Sequence, residues 1–448
     1  MRFRLLLLGV VAVAASLPLA AQEQAYVRLG QLEQEGRAWV ERIECGAPVR
    51  EGGRLVVRAD VGTVIVKPGA ADRMQCQVRL WIYAGSEAEA RRFLNRFAVS
   101  VRLLEGGGVS LSGGFSPERR RSGPFKVEYE IQVPLRFNLD LETQGGALVV
   151  ERLEGELRAA TAGGDIRTGD IAGPVRVETA GGSIQLGNIG QRVEATTAGG
   201  SIHVGDIRGN AILETSGGEI VAGLVQGSVR AGTAGGDIVL RGAGADVIAE
   251  TAGGQIRIGE SGGSVRAQTA GGSIHLDGAR GPIKVETAGG SINIYGVQSA
   301  VQAATAGGSI QAQIAARRES FGASLLETSF GDIEVYLPAD LPLTIEATIE
   351  QAIGHKILTD FPLKIEGEEQ IFHEGTVRGH GQLNGGGQVL RIHTVSGNIE
   401  IHKLDAQMLE RLQQKQEELR KRWQELQQKR EERRRLREEK RKAPQPEP

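Results

Sequence analysis

Apolar and polar positions alternate along most of this chain, and between residues 143 and 311 the alternation is locked to an 18-residue beat. In the turn starting at Thr179, Ile184 and Leu186 alternate with Ser183 and Gln185, and Val193 and Ala195 with Arg192 and Glu194. Side chains change face at each strand residue, so both runs read as half-buried strands. Ile189 supplies a third apolar position between them. The corners hold Gly181-Gly182, Gly187 and Gly190, where positive φ angles are expected. One turn is thus expected to be three short strands joined at three glycine corners. Frequent glycine and β-branched inward positions argue against helix.

The same columns hold down the array. Thr143-Gln144-Gly145-Gly146 opens it, Thr-Ala-Gly-Gly follows at 161, 179, 197, 233, 251, 269, 287 and 305, and Thr215-Ser216-Gly217-Gly218 fills the remaining slot. Isoleucine takes the sixth slot of each turn from Ile166 to Ile310. A fixed period of this size marks a solenoid, in which each turn buries its apolar side only against its neighbours. The fold class is all-β: a parallel β-helix, or β-solenoid, with 18-residue coils stacked about 4.8 Å apart. A right-handed coil is expected, because parallel crossovers are overwhelmingly right-handed. The threonines are expected to point inward and bond between rungs.

The residue before each threonine is glutamate only on alternate coils: Glu142, Glu178, Glu214, Glu250 and Glu286. Like charges on adjacent rungs would repel by about 1–3 kcal/mol, and alternation doubles their separation. A solvated face explains this column, with a ligand-binding acidic ladder as the sharper alternative.

The flanks follow other patterns. Residues 1–21 read as a secretory signal, with Arg2 and Arg4 before the apolar run Leu5–Ala15 and then Leu19-Ala20-Ala21. No later stretch is long and apolar enough for a membrane span. Residues 22–138 alternate without the beat and are expected to form a β-rich N-terminal cap. Its strands fall at Val40–Cys45, Leu55–Arg58, Val64–Val66, Cys76–Tyr83, Val99–Leu103 and Val127–Val133, with one helix at Ser86–Arg96. Ala59–Val66 looks like a degenerate copy of the repeat phrase. The regular solenoid is assigned to 139–321, and irregular final coils with a C-terminal cap to 322–403, where variant phrases return at Thr328–Ile333 and Thr394–Ile399. Residues 404–448 lack glycine and carry Leu412, Leu419 and Leu426 at heptad spacing, interrupted by Gln416, Arg430 and Arg433. They predict a charged helix with a disordered end and at most weak self-association as a coiled coil.

Charge refines this picture. The tail holds 14 basic and 10 acidic residues, and the remaining mature chain 37 and 45. An acidic, exported body argues against nucleic acid as a partner. Arg433, Arg434 and Arg435 form the densest basic cluster and are candidates for contact with an anionic surface. Cys45 and Cys76 are an even pair in an exported chain, hence a candidate disulfide; their spacing leaves open whether their strands are neighbours.

No catalytic constellation is legible. The Gly-Gly pairs open strands and are followed by no Gly-Lys-Ser/Thr, so they are not phosphate loops. Asp165, Asp170, Asp206 and Asp237 are too irregular for a metal ladder. The column after the key isoleucine reads Arg167, Gln185, His203, Val221, Val239, Arg257, His275, Asn293, Gln311, which is no acid/base set. His373-Glu374 and His380 could approach one another, with His393 and His402 on late strands, but no metal-ligand spacing supports them. No cofactor is expected. Tyr295 is the one aromatic residue between 143 and 311, which weighs against a lectin-like surface.

The chain resembles an exported β-strand-repeat family of unknown function whose members are described as putative adhesins. The resemblance rests on Arg54–Gly62, Val127–Pro134 with Asn138–Leu141, the Thr-Ala-Gly-Gly ladder, Thr328–Ile333, Asn384–Gly387 and Ser396–Ile399, and it covers about residues 38–403. It implies a β-helix-like extracytoplasmic domain without an established enzyme activity or defined site residues. The expected function is a non-enzymatic, adhesin-like interaction protein, periplasmic, secreted or at the cell surface, binding an envelope glycan or protein. The alternatives are a solenoid carbohydrate-active enzyme and an envelope-stress partner acting through the C-terminal helix.

Overall fold

The computed structural model describes residues 24–115, 124–367 and 375–404, with residues 410, 414, 417, 418 and 421 beyond them. Those five are helical and exposed. The expected signal sequence, Arg433–Arg435, His373-Glu374 and most of the expected terminal helix lie outside the described residues. The chain divides into two compact units, 1–161 and 162–448.

The second unit contains the regular β-solenoid. Val175–Thr179 pairs in parallel with Val193–Thr197, and that strand with Ala211–Thr215, each residue facing its counterpart 18 positions on. Ile184–Leu186, Ile202–Val204 and Ile220–Val225 stack likewise as a second ladder. The inward residues are fully buried, the isoleucine column among them. Each such side chain contributes about 1.5–3 kcal/mol by leaving water.

The third side of the coil differs from expectation. It is no strand in the early coils but a line of single bridges joining Ile171, Ile189, Ile207 and Val225. Beside these bridges, the amides of Asn188, Asp206 and Leu224 each donate to the Asx side chain one rung back, at Asp170, Asn188 and Asp206. A side chain that accepts the amide replaces the carbonyl a continuous ladder would use. Later rungs have Leu224, Gly242, Glu260 and Gly278 in that slot, and there the strands lengthen, as in Ile238–Ala243 and Ile256–Ser261. Asp165, Asp237 and Asp246 also accept an amide from the next rung. The scattered aspartates are thus rung-to-rung connectors.

The threonines do point inward. From Thr179 to Thr305, each hydroxyl donates to a glycine carbonyl fifteen residues earlier at 2.8–2.9 Å. The same oxygen accepts the amide of the glycine three residues on, at 3.2–3.4 Å. Replacing Thr269 by valine removes both bonds and strands buried partners, an expected loss of about 1–3 kcal/mol. Serine keeps the hydroxyl and forfeits one methyl, about 1 kcal/mol. Thermal unfolding of the two variants should rank them in that order.

The glycine corners correct a second expectation. None of Gly181, Gly182, Gly187 and Gly190 has positive φ. Glycine is needed because rungs touch there: a Cβ on Gly182 would lie 2.0 Å from the Gly164 oxygen, and one on Gly190 2.3 Å from that of Ala172.

The last rungs are laid down out of chain order. Ser324–Phe330 stacks on Val301–Thr305 and receives Gln388–Ser396 on its other edge. Ile333–Leu337 lies between Ile310–Ile314 and Ile399–Lys403. The variant phrases are therefore genuine rungs, with Thr328 bonded to Gly308 and Thr394 to Gly331. Leu343–Ile349 follows Gln388–Ser396 in parallel and is covered by antiparallel Val377–Leu383.

The first unit also interleaves its rungs. Arg54–Ala59 lies between Gly108–Phe115 and Asn138–Thr143, all parallel, and Thr63–Pro68 lies between Phe125–Val133 and Leu148–Val150. The degenerate phrase at Ala59–Val66 is thus part of a true rung. Antiparallel strands then cover the open edge: Arg73–Ile82 on Phe125–Val133, Ala38–Pro48 on Arg73–Ile82, and Phe97–Leu104 on Gly108–Phe115. Helix Glu87–Leu94 starts at Ser86, whose hydroxyl accepts the Glu89 amide while the Glu89 carboxylate accepts that of Gly85. This is a capping box displaced by one residue. In this unit three strands escaped sequence reading: Tyr26–Leu29, Glu33–Glu35 and glycine-rich Gly108–Phe115.

Candidate functional site

Two outer faces of the second unit carry ordered polar chemistry. The first lies on the strands that end in threonine, where alternation turns the preceding residue outward. The column Thr196, Glu214, Gly232, Glu250, Gln268 keeps its carboxylates two rungs apart. Arg230 lies 3.7 Å from Glu214 and Arg266 4.0 Å from Glu250. Further on, a bond from Lys284 holds the Glu286 carboxyl below the usual range, against the opposing effect of burial. Gly232 makes a notch, since a Cβ there would meet nothing within 4 Å. The result is an open groove of about 620 Å³ lined by Thr196, Glu214, Arg230, Glu250 and Gln268. Its carboxylates are about half exposed. That setting offers hydrogen bonds and charge to a polar ligand, whereas a general acid needs an apolar pocket.

The second face is the column after the key isoleucine. From the sequence it stops at Gln311, where the beat breaks. Strand register carries it on through Glu334 to Glu400. A chain of contacts runs along it. His275 lies 3.3 Å from Arg257 and 2.9 Å from Asp277, and its ring is 5.4 Å from that of Tyr295. The Tyr295 hydroxyl donates to Gln311 at 3.0 Å, and Gln311 donates to Glu334 at 2.6 Å. The other Glu334 oxygen accepts the Tyr336 hydroxyl. Burial, reinforced by Glu334, pushes the Tyr336 phenol up; burial and then Asp277 and Glu334 do the same for Tyr295, against Arg257. Tyr295 is only 4% exposed, so it offers no stacking platform to a sugar.

At the end of this column Glu334, Glu400 and His402 converge, their ligand atoms within 4.8 Å of one another. A cavity of about 430 Å³ opens beside the two glutamates, lined also by Ser291, Asn293, Ser309 and Asp332. Of the histidines singled out in the sequence, His402 is in this cluster, whereas His393 faces Glu327 and Glu350. The carboxylates were missed because they sit in different variant phrases. Aligning Asp332-Ile333-Glu334 with Asn398-Ile399-Glu400 would have found them.

In the first unit, Cys45 and Cys76 face each other across Ala38–Pro48 and Arg73–Ile82 and are disulfide-bonded, with Cα atoms 4.9 Å apart. Among the described residues no helix is long and apolar enough to cross a membrane.

No family model matches the chain, and no curated protein matches it. Among solved structures it is similar to a putative cell adhesion protein from Clostridium sporogenes, at 8% identity over 85% of this chain and 100% of that one, with a TM-score of 0.15. It is also similar to a putative adhesin from Bacteroides fragilis, at 17% identity over 55% and 96% of the two chains, with a TM-score of 0.24. A putative adhesin from Parabacteroides distasonis matches at 11% identity over 66% and 96%, with a TM-score of 0.21.

Proposed function

We propose that the chain is a non-enzymatic extracytoplasmic interaction protein whose rigid β-solenoid presents the binding surface, and that the groove around Gly232 receives a polar envelope component, glycan or protein. The groove carries this reading: it is open, polar, built on paired strands, and its carboxylates are matched by arginines. Interlocked rungs add a scaffold that needs little ordering on binding, which lowers the entropic cost of association. Export is supported by the signal-like residues 1–21 and by the Cys45–Cys76 disulfide, a bond that persists in oxidising compartments.

The test fills the notch. Phenylalanine at Gly232 points into open space, so Gly232→Phe should fold with an unchanged melting temperature. Its co-sedimentation with envelope fractions should fall at least about tenfold, the loss of roughly 1.4 kcal/mol of contact. Undiminished binding by the folded variant removes the groove from the account.

A further inference from the structure

We propose that Glu334, Glu400 and His402 form a binding site for a divalent transition cation of the zinc type, which ties the strand Ile333–Leu337 to Ile399–Lys403.

The donor set fits such an ion. One imidazole nitrogen and two carboxylate oxygens suit zinc-type ions, whereas magnesium and calcium prefer oxygen alone. The three side chains are half-buried, and their ligand atoms need to close by only about an ångström to reach ordinary metal–ligand spacing. The surroundings orient each ligand. His402 Nδ1 lies 3.4 Å from the Asp360 carboxylate, which fixes the ring so that Nε2 faces Glu400 at 3.2 Å. A carboxylate behind the imidazole is the usual support for a metal-bound histidine. The Tyr336 ring packs at a tilt against the same imidazole, with centroids 5.5 Å apart. Gln311 and Tyr336 hold the two oxygens of Glu334.

Charge supplies an independent argument. Along the threonine-bearing face glutamates avoid adjacent rungs. Here Glu334 and Glu400 are direct register partners, about 4.8 Å apart along the stack. Among the described residues, no lysine or arginine forms an ion pair with either. A dication between them offsets the repulsion that the glutamate column before the threonines avoids. It would also join strands 66 residues apart in sequence, and the adjoining cavity leaves room for water in the remaining positions.

The experiment uses the full chain, stripped with chelator and titrated with Zn²⁺ by calorimetry, with melting temperature read in parallel. One Zn²⁺ per chain and a higher melting temperature are expected, with an equal concentration of Ca²⁺ failing to compete. Glu334→Gln and His402→Ala should each weaken binding about 100-fold and Asp360→Asn about tenfold. Without metal, Glu334→Gln should melt no lower than the parent, since it removes one of two like charges. That result separates a lost ligand from a damaged fold. Absence of Zn²⁺ binding, or binding unchanged in Glu334→Gln and His402→Ala, overturns the site.

Discussion

Alanine at Gly290 should lower stability by about 3 kcal/mol or more, whereas alanine at Gly289, one residue earlier, should stay within about 1 kcal/mol of the parent. A Cβ on Gly290 would lie 2.0 Å from the Gly272 carbonyl oxygen and 2.4 Å from its carbon. Both are backbone atoms. The Gly272 oxygen is also the acceptor for the Thr287 hydroxyl, so moving it breaks that bond. The rungs on either side are held by continuous ladders, and close-packed interiors transmit such a displacement instead of absorbing it. On Gly289 the nearest atom to a Cβ is 3.6 Å away, an ordinary contact, and φ is not positive. There alanine also reduces the freedom of the unfolded chain, a small stabilising effect. Thermal unfolding and limited proteolysis check the pair. In a stack whose stability sums over neighbouring rungs, Gly290→Ala should open the coil locally and create early cleavage near residue 290. Equal behaviour of the two variants would contradict the close-approach account of the second glycine.

Removing the disulfide should cost about 3–4 kcal/mol in the first unit. Cys45 and Cys76 close a loop of 31 residues, and the lost constraint on the unfolded chain gives that magnitude. The bond joins the two antiparallel strands that cover the edge of Phe125–Val133. A Cys45→Ala/Cys76→Ala double variant, measured by hydrogen exchange, should show faster exchange across Ala38–Pro48. The rungs from Val175 to Thr305 should keep their protection, because each contacts only its neighbours. Uniform loss of protection over both regions would show that the first unit and the regular coils unfold together.

The sequence made the beat, the isoleucine column and the inward threonines legible, because each recurs at one fixed slot and alternation alone assigns its face. It misassigned the glycines. Glycine at a corner reads the same whether it is required for positive φ or for contact with the rung behind, and only the separation of stacked backbones tells the two apart. The single-bridge third side was hidden for a related reason, since nothing in the repeat marks Asp170, Asn188 and Asp206 as connectors until their bonds to the next rung are seen. Interleaved rungs were out of reach, because register between Ile333 and Ile399 spans a long excursion with no periodic marker. The same excursion concealed the meeting of Glu334, Glu400 and His402. The groove at Gly232 was half legible: the column recurs in the repeat, but a missing side chain in an alternating row reads as a weak strand, not as a notch.

Co-sedimentation of residues 22–448 and of residues 22–403 with sacculi, outer-surface glycolipid and membranes tests the central claim most directly. The account predicts that both chains sediment with the same fraction and with similar affinity, because the binding surface belongs to the solenoid. Binding by the longer chain alone would contradict it, making the basic segment around Arg433–Arg435 the anchor and the solenoid a spacer.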